Sequence, residues 1–137
     1  MSGPLIFDTS VWIDLLKDKS NAEADLLTSY IDHNDQVLLT PTILQEILKG
    51  IREDSQYRQI KEILSYFTVL QLAPVQAAIA AAELYRGLRK KGVTIRKSND
   101  CLIAFYAIGF STPLVHTDSD FELISKHSKL RTWQTST

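Results

Sequence analysis

The chain has 137 residues, of which 45% are hydrophobic and 23% are charged, and its formal net charge is −1. This size and composition predict one globular domain over residues 1–137 with a sizeable buried core. A near-neutral charge argues against a general nucleic-acid-binding surface, because such domains are usually basic. Any nucleic-acid contact therefore has to come from a local patch.

The cysteine, histidine and hydropathy patterns narrow the class further. The only cysteine, Cys101, excludes an intramolecular disulfide and suits a small buried hydrophobic position, and the three histidines lack the spacing of zinc ligands. No apolar run reaches the roughly eighteen residues that cross a bilayer, and residues 1–4 lack the basic start of a signal peptide. We therefore expect a cytoplasmic protein without membrane contact.

Short apolar runs alternate with helical patterns along the first part of the chain. Thr40 is a typical helix N-cap, and Pro41 suits the first position of a helix. In chain order, the predicted elements are a strand at residues 4–7, a helix at 11–17, a polar helix at about 21–33, a strand at 37–39 and a helix from 41 to about 50.

The second part of the chain continues the alternation. Gly92 ends an alanine-rich helix, and Asn99 is expected to cap an apolar one. In chain order, the predicted elements are a helix at about 55–67, a strand at 69–72, helices at 74–91 and 100–108, a strand at 113–117, a short helix and an edge strand near 130–133. Because the strands are apolar on both faces and helices connect them, we predict an α/β fold with a parallel sheet covered on both sides.

Four acidic residues lie where folding alone does not readily explain an acid. Asp8 and Asp118 each follow a predicted strand, Asp100 opens the apolar helix, and Glu46 lies within another helix. Since the carboxyl ends of parallel strands meet in one crevice, Asp8 and Asp118 are expected to be neighbours. Buried carboxylates need partners, and Mg²⁺ and Mn²⁺ bind oxygen ligands of this kind, so the pattern favours a metal site. Asp100, at a helix N-terminus, is expected to stay ionised at neutral pH.

Each of these acids also has a purely structural interpretation. Asp8 and Asp118 can cap the helices that follow them, and Asp100 can be an ordinary first-turn acid. Glu46 lies off the centre of the apolar stripe of its helix and can pair with Lys49 on the surface. The metal site therefore depends on the coincidence of four placements.

Four sequence segments together resemble a known family. They are FDTSV at residues 7–11, LQEILKG at 44–50, NDCLIA at 99–104 and TDSDF at 117–121. In this order they resemble the PIN-domain nucleases, in particular the VapC-like toxins of prokaryotic toxin–antitoxin pairs, over nearly the whole chain.

The resemblance implies a three-layer α/β/α fold, a ribonuclease that depends on Mg²⁺ or Mn²⁺, and inhibition by a partner antitoxin. By matched position, the catalytic and metal-binding roles fall on Asp8, Glu46, Asp100 and Asp118. Asp120 matches an acid that only some members use as a metal ligand. Otherwise, Asp120 is a solvated first-turn acid.

Polar and basic residues flank the acids. Thr9 and Ser10 either hydrogen-bond the metal ligands or a phosphate, or serve the turn and the helix cap. Arg96 and Lys97 end a basic stretch just before Asp100 and are the preferred candidates for RNA phosphate contacts. Three earlier bases of the stretch, Arg86, Arg89 and Lys90, equally suit the C-terminal dipole of their helix.

Two other functions remain open from the residues alone. A phosphatase of the haloacid-dehalogenase type also places an Asp after its first strand, but it needs a second Asp where this chain has Ser10. A catalytically silent PIN-like module that binds RNA or protein keeps the fold without the cleavage.

Partners are expected at apolar surface. The helices near residues 11–16 and 43–51 carry more apolar side chains than a small core needs, including Trp12, Leu16, Leu48 and Ile51. Between them we expect a groove for an amphipathic antitoxin segment, with Trp12 otherwise a core residue. A homodimer is the expected oligomeric state.

Overall fold

The central layer of the protein is a sheet of four parallel strands, in a computed structural model that describes residues 3–134. The strands are β1 (Leu5–Phe7), β2 (Val37–Leu39), β3 (Thr68–Val69) and β4 (Leu114–Val115). The helices described around them are α1 (Thr9–Leu16), α2 (Ala22–Asp32), α3 (Pro41–Lys49), α4 (Asp54–Leu64), α5 (Pro74–Lys90), α6 (Asn99–Gly109) and α7 (Ser119–Lys126). The predicted three-layer α/β/α fold with a parallel sheet is confirmed.

The strand order is β3-β2-β1-β4, so the chain reverses its direction of travel across the sheet. From β1 it moves outward through β2 to β3, and it then returns to the other side of β1 for β4. Such a reversal opens a crevice at the carboxyl ends of the two strands beside it, where open α/β sheets bind ligands. Here the crevice lies after β1 and β4, and Asp8 joins the two strands by donating its N–H to the Val115 carbonyl at 2.9 Å.

The core lies on both faces of the sheet. Ile6 and Phe7 of β1 are fully buried, because helices cover both sides of the strand. Cys101 is also fully buried, as expected, on the inner side of α6. Within residues 3–134, no helix is both long and apolar enough to cross a membrane.

Side-chain caps begin several of the helices. The Thr40 hydroxyl accepts the Ile43 N–H at 3.2 Å with Pro41 in the first turn of α3, which confirms the predicted helix start. Asp8 and Asp118 cap α1 and α7 by accepting backbone N–H groups two residues later. Their structural interpretation is therefore correct, and it leaves open what else the two carboxylates do.

Several predicted element boundaries are wrong, among them the last strand, which was predicted at residues 113–117 and occupies Leu114–Val115. The third strand occupies Thr68–Val69 rather than residues 69–72, because β2 ends at Leu39 and leaves no further backbone to pair with. The edge strand near residues 130–133 reduces to one bridge between Leu114 and Thr132, because β4 itself has only two residues.

The start of α6 also differs from the prediction. Asn99 is the first residue of the helix, and the preceding residue, Ser98, forms no side-chain cap. The N–H groups of Asp100 and Cys101 instead bond to the carbonyls of Lys97 and Ser98. Because backbone carbonyls satisfy these donors, the helix needs no side-chain cap at this end.

Candidate metal centre

Asp8 begins the site at the carboxyl end of β1. Its side chain is buried, and Oδ2 accepts the N–H of Ser10 at 3.1 Å and the Ser10 hydroxyl at 2.7 Å. Burial raises the pKa of Asp8, the Ser10 bonds oppose that rise, and the nearby Glu46 carboxylate adds to it. Asp8 is thus a helix cap held next to a second acid.

Glu46 reaches the same place from α3. The Thr9 hydroxyl donates to Glu46 Oε1 at 2.7 Å, across the contact between α1 and α3. Within residues 3–134, Glu46 forms no ion pair with Lys49, so the interpretation of Glu46 as half of a surface pair is wrong. Helix α1, rather than its own helix α3, supplies the partner of Glu46.

Ser10 connects the two turns that carry Asp8 and Asp118. Its hydroxyl donates to Asp8 and accepts the Thr117 N–H at 3.2 Å. Thr9 and Ser10 therefore hold acidic residues in place as well as forming the first turn of α1. Both residues thus bond to acids that were predicted as metal ligands, and their role toward a bound metal stays a prediction.

The ends of α6 and β4 bring three more carboxylates together. Asp100, Asp118 and Asp120 each offer an oxygen, and these oxygens all lie within 4.8 Å of one another. Asp120 is only 5% exposed, so its interpretation as a solvated first-turn acid is wrong. Close carboxylates repel one another unless cations or protons compensate them.

Asp100 is the carboxylate with the least compensation. Its Oδ2 is buried and has no hydrogen-bond partner within residues 3–134. Burial, followed by the charges of Asp8 and Asp118, raises the pKa of Asp100 to about 7, although Lys97 opposes the rise. The expectation that this residue stays ionised at neutral pH is therefore wrong for the protein alone, because burial and two neighbouring acids outweigh the helix dipole.

Arg96 and Lys97 compensate the other two acids of the cluster. Lys97 Nζ lies 3.3 Å from Asp118 Oδ2, and Arg96 lies 3.6 Å from Asp118 and 3.3 Å from Asp120. Burial alone would raise the pKa of Asp118, but the Asp120 N–H and the two bases lower it. The bases predicted to face RNA phosphates thus lie against the acids.

The ion pair between Arg96 and Asp120 could not be found in the sequence. The two residues are 24 positions apart and belong to different segments, so no periodicity relates them. The only available signal was the position of both residues beside predicted site acids.

The donor set fits a hard divalent cation. The site collects five carboxylates and two bases. One carboxylate oxygen, Oδ2 of Asp100, is buried and has no hydrogen-bond partner among residues 3–134. The three clustered residues offer only oxygen ligands. Mg²⁺ and Mn²⁺ prefer such oxygen ligands, whereas structural zinc prefers sulfur and imidazole nitrogen. A divalent cation would compensate the excess negative charge of these clustered, largely buried carboxylates.

An apolar cleft lies where α1 and α3 meet, about 440 Å³ in volume. Leu16 and Ile51 line it, as predicted, together with Ile13 and Ile47. Trp12 does not line it, because the indole is 3% exposed and packs edge-on against the Phe67 ring in the core. The prediction that Leu48 lines this cleft is also wrong. Leu48 instead lines a separate cleft, together with Leu44, Leu72, Leu102 and Tyr106.

Comparisons with known proteins agree with this geometry. Residues 5–127 match the family described as the PIN domain. The chain is similar to the ribonuclease VapC11 of Mycobacterium tuberculosis, at 28% identity over 128 residues that cover 93% of this chain and 96% of the relative.

Two solved structures share the fold. One is the DNA-bound VapBC of Salmonella typhimurium, with a TM-score of 0.73, 20% identity and coverage of 96% of this chain and 97% of that chain. The other is a toxin–antitoxin complex from Klebsiella pneumoniae, with a TM-score of 0.66, 20% identity and coverage of 85% and 89%. At these identities the likeness concerns the fold alone.

Proposed function

The chain belongs to the PIN-domain family, and from this premise we propose that it is an endoribonuclease, dependent on Mg²⁺ or Mn²⁺, that acts as the toxin of a toxin–antitoxin pair. The observation that carries the proposal is the acidic cluster at the strand-order reversal, which includes Asp100 with its buried Oδ2 unpartnered within residues 3–134. The VapC ribonuclease relative, matched along 93% of this chain, supports the same activity.

The acids divide into two groups in the proposed mechanism. Asp100, Asp118 and Asp120 would hold the cation, because their oxygens already lie within 4.8 Å of one another. Asp8 and Glu46 interact electrostatically with Asp100 and would complete the acidic surroundings. When bound, a divalent cation lowers the pKa of a water ligand and stabilises negative charge on the scissile phosphate.

The residues of the chain supply orientation and charge control. Ser10 and Thr9 fix the Asp8 and Glu46 carboxylates through their hydroxyl bonds, so these acids do not need to reorganise during a turnover. With a pKa of about 7, Asp100 is partly protonated near neutral pH in the protein alone, and nearby positive charge favours loss of that proton. Arg96 and Lys97, exposed over most of their side chains, would contact the RNA backbone.

The test is incubation with total RNA, with and without Mn²⁺ or Mg²⁺, beside an Asp100→Asn variant. Cleavage that needs the metal and the Asp100 carboxylate supports the proposal. Metal binding without cleavage would favour the second candidate, a silent module that binds RNA or protein. The ion pairs of Arg96 and Lys97 with the site acids favour that candidate, because they compensate ligand charge.

We propose that an amphipathic antitoxin segment occupies the cleft between α1 and α3. The cleft presents apolar side chains at Ile13, Leu16 and Ile51, and charged residues also line it, namely Lys17, Arg52 and Glu53. Apolar grooves with polar rims accept the apolar face of an amphipathic helix. Ile13 is 36% exposed and is a better probe than the buried Trp12.

A homodimer is proposed through a different surface. Val75 and Ile79 lie one turn apart on α5 and are 68% and 54% exposed, which is unusual for large apolar side chains. Co-expression with the product of a neighbouring small reading frame tests both surfaces. Ile13→Asp should weaken the complex and leave the dimer, and Ile79→Asp should do the reverse, so each variant controls the other.

We further propose that the chain works as one domain in the cytoplasm. One cluster of buried apolar side chains connects all four strands and supports a single domain. The free, buried Cys101 suits a reducing compartment.

A further inference from the structure

The turn between β4 and α7 is held by hydrogen bonds to its backbone N–H groups. Ser10 Oγ accepts the Thr117 N–H, the Asp118 side chain accepts the Asp120 N–H, and the Asp118 carbonyl accepts the Phe121 N–H. The Asp118 N–H itself donates to Nδ1 of His116 at 3.2 Å. An imidazole therefore fixes the backbone of the residue whose carboxylate enters the acidic cluster.

The hydrogen bonds determine the tautomer of this imidazole. A backbone N–H can only donate, so Nδ1 of His116 is the unprotonated acceptor and Nε2 carries the proton. Nε2 donates that proton at 2.7 Å to Oε2 of Glu122, which lies in the first turn of α7. Because both ring nitrogens have partners, the ring has one orientation.

Burial adds to this constraint. The His116 side chain is 7% exposed, and its ring lies 5.3 Å from the Phe121 ring, centroid to centroid. Glu122 is 43% exposed and also accepts from the Gln134 amide at 3.4 Å. Because His116 is buried and Glu122 is partly exposed, the two residues of the pair can be substituted separately and their effects compared.

We propose that the Glu122–His116 pair is a positioning device for Asp118, which fixes the β4–α7 turn so that the Asp118 carboxylate meets Asp100 and Asp120. His116 does not belong to the carboxylate cluster and acts through the Asp118 backbone. The inference rests on the proposed function, in which Asp118 helps to hold a divalent cation. Groups that orient a metal ligand typically change metal affinity or activity by roughly 10- to 100-fold when removed.

A matched pair of variants isolates the hydrogen bond from packing. Asn and Leu have nearly the same shape, but Oδ1 of Asn can accept the Asp118 N–H from close to the position of Nδ1. We expect His116→Leu to weaken Mn²⁺ binding by roughly 10-fold and to lower kcat with little change in KM for RNA. His116→Asn should stay within roughly 3-fold of the parent, and His127→Leu, an exposed histidine at the end of α7, should match the parent.

Calorimetric titration with Mn²⁺ and steady-state RNA cleavage give these numbers. Equal Mn²⁺ affinity in the Leu and Asn variants would overturn the proposal. If His116→Leu does not fold, two variants of the exposed partner Glu122 provide the test. Glu122→Ala should weaken Mn²⁺ binding, and Glu122→Gln should retain it. Equal Mn²⁺ affinities of these two variants would overturn the proposal.

A metal-free measurement separates this inference from the proposed function. Hydrogen exchange of the Asp118 amide, followed by NMR with EDTA present, should be faster in His116→Leu than in His116→Asn. If the parent neither binds Mn²⁺ nor cleaves RNA, the proposed function fails. The exchange rate of the Asp118 amide still tests the positioning role of His116. Faster exchange in the Leu variant supports that role, and equal exchange in the two variants refutes it.

Discussion

The two sides of the acidic site hold their carboxylates by different chemistry. On the β1 side, neutral hydroxyls hold the acids: Thr9 donates to Glu46, and Ser10 donates to Asp8. On the β4 side, the bases Arg96 and Lys97 hold Asp118 and Asp120.

This difference indicates how the site can prefer a divalent cation. A hydroxyl donor orients a carboxylate and leaves its charge in place, whereas a base compensates the charge that a metal would use. The bases are 72% and 62% exposed, so water screens their ion pairs and little free energy opposes their release. Asp100, between the two sides, has no hydrogen-bond partner for Oδ2 within residues 3–134, and Lys97 offsets only part of the repulsion from its neighbouring acids. In the proposed function, the β1 side can therefore accept a cation directly, whereas the β4 side can do so once Arg96 and Lys97 leave the acids for RNA phosphate.

The largest expected effect comes from removing an acid on either side of this comparison. Asp8→Asn or Asp100→Asn should lower metal-dependent RNA cleavage by on the order of 100-fold or more, because each acid contributes to one charge site. Circular dichroism should show that the fold is retained. Asp32→Asn, an exposed acid at the end of α2, is the control. Parent-like cleavage by either variant at matched metal would show that the site is wrongly assigned.

Asp100 should also make the stability of the metal-free protein depend on pH. Its pKa is about 7 in the folded protein and 3.8 in the reference state, so between these values the folded state binds more protons than the unfolded state. The favourable contribution is complete below pH 3.8 and is lost as the pH rises through about 7. Asp100→Asn should therefore raise the unfolding free energy above pH 7 by on the order of 4 kcal/mol.

Urea unfolding in EDTA between pH 5 and 9 measures this effect. The Asn variant should show a flatter pH profile than the parent and the larger gain at high pH. Parallel profiles for the two proteins would mean that the Asp100 carboxyl ionises freely in the folded state.

Arg96 and Lys97 provide the next test, because they lie against the site acids and are the proposed contacts for RNA phosphate. Arg96→Ala combined with Lys97→Ala should weaken RNA binding and flatten its salt dependence by roughly one unit of slope or less per lost phosphate contact. The same variant should bind Mn²⁺ roughly 2- to 5-fold more tightly, since two cations no longer repel the ion or compensate its ligands.

A matched double variant, Arg89→Ala with Lys90→Ala in the last turn of α5, controls for the general loss of basic charge. If it reproduces the change in salt slope, the phosphate contacts are spread along the basic stretch. Unchanged Mn²⁺ affinity in the Arg96 and Lys97 variant would mean that their ion pairs with Asp118 and Asp120 do not persist in solution.

Local sequence patterns predicted the strands and helix starts that position this site. The apolar strands, the Thr40 cap and the position of Asp8 and Asp118 after strands all follow from local sequence, and a parallel sheet then gathers strand ends. The contacts between distant segments did not follow. The link between Arg96 and Asp120 and the raised pKa of Asp100 depend on how helices dock, and no residue spacing encodes that docking.

The smallest expected effect concerns a neutral hydroxyl on the β1 side. Thr9→Val keeps the shape of the side chain and removes the hydroxyl that donates to Glu46 Oε1. The loss of one hydrogen bond to a charged group should cost about 1 to 2 kcal/mol of unfolding free energy. Cleavage should fall by roughly 5-fold, because Glu46 keeps its charge but loses its fixed orientation.

Thermal unfolding and cleavage at saturating Mn²⁺ measure the two quantities, with Thr28→Val on the exposed face of α2 as the control. A drop in stability with unchanged cleavage would confine Thr9 to the turn and the first helical residues. A drop in cleavage with unchanged stability would mean that the hydroxyl acts on the orientation of Glu46 alone. The expected result is both together, because the same bond joins α1 to α3 and orients an acid of the site.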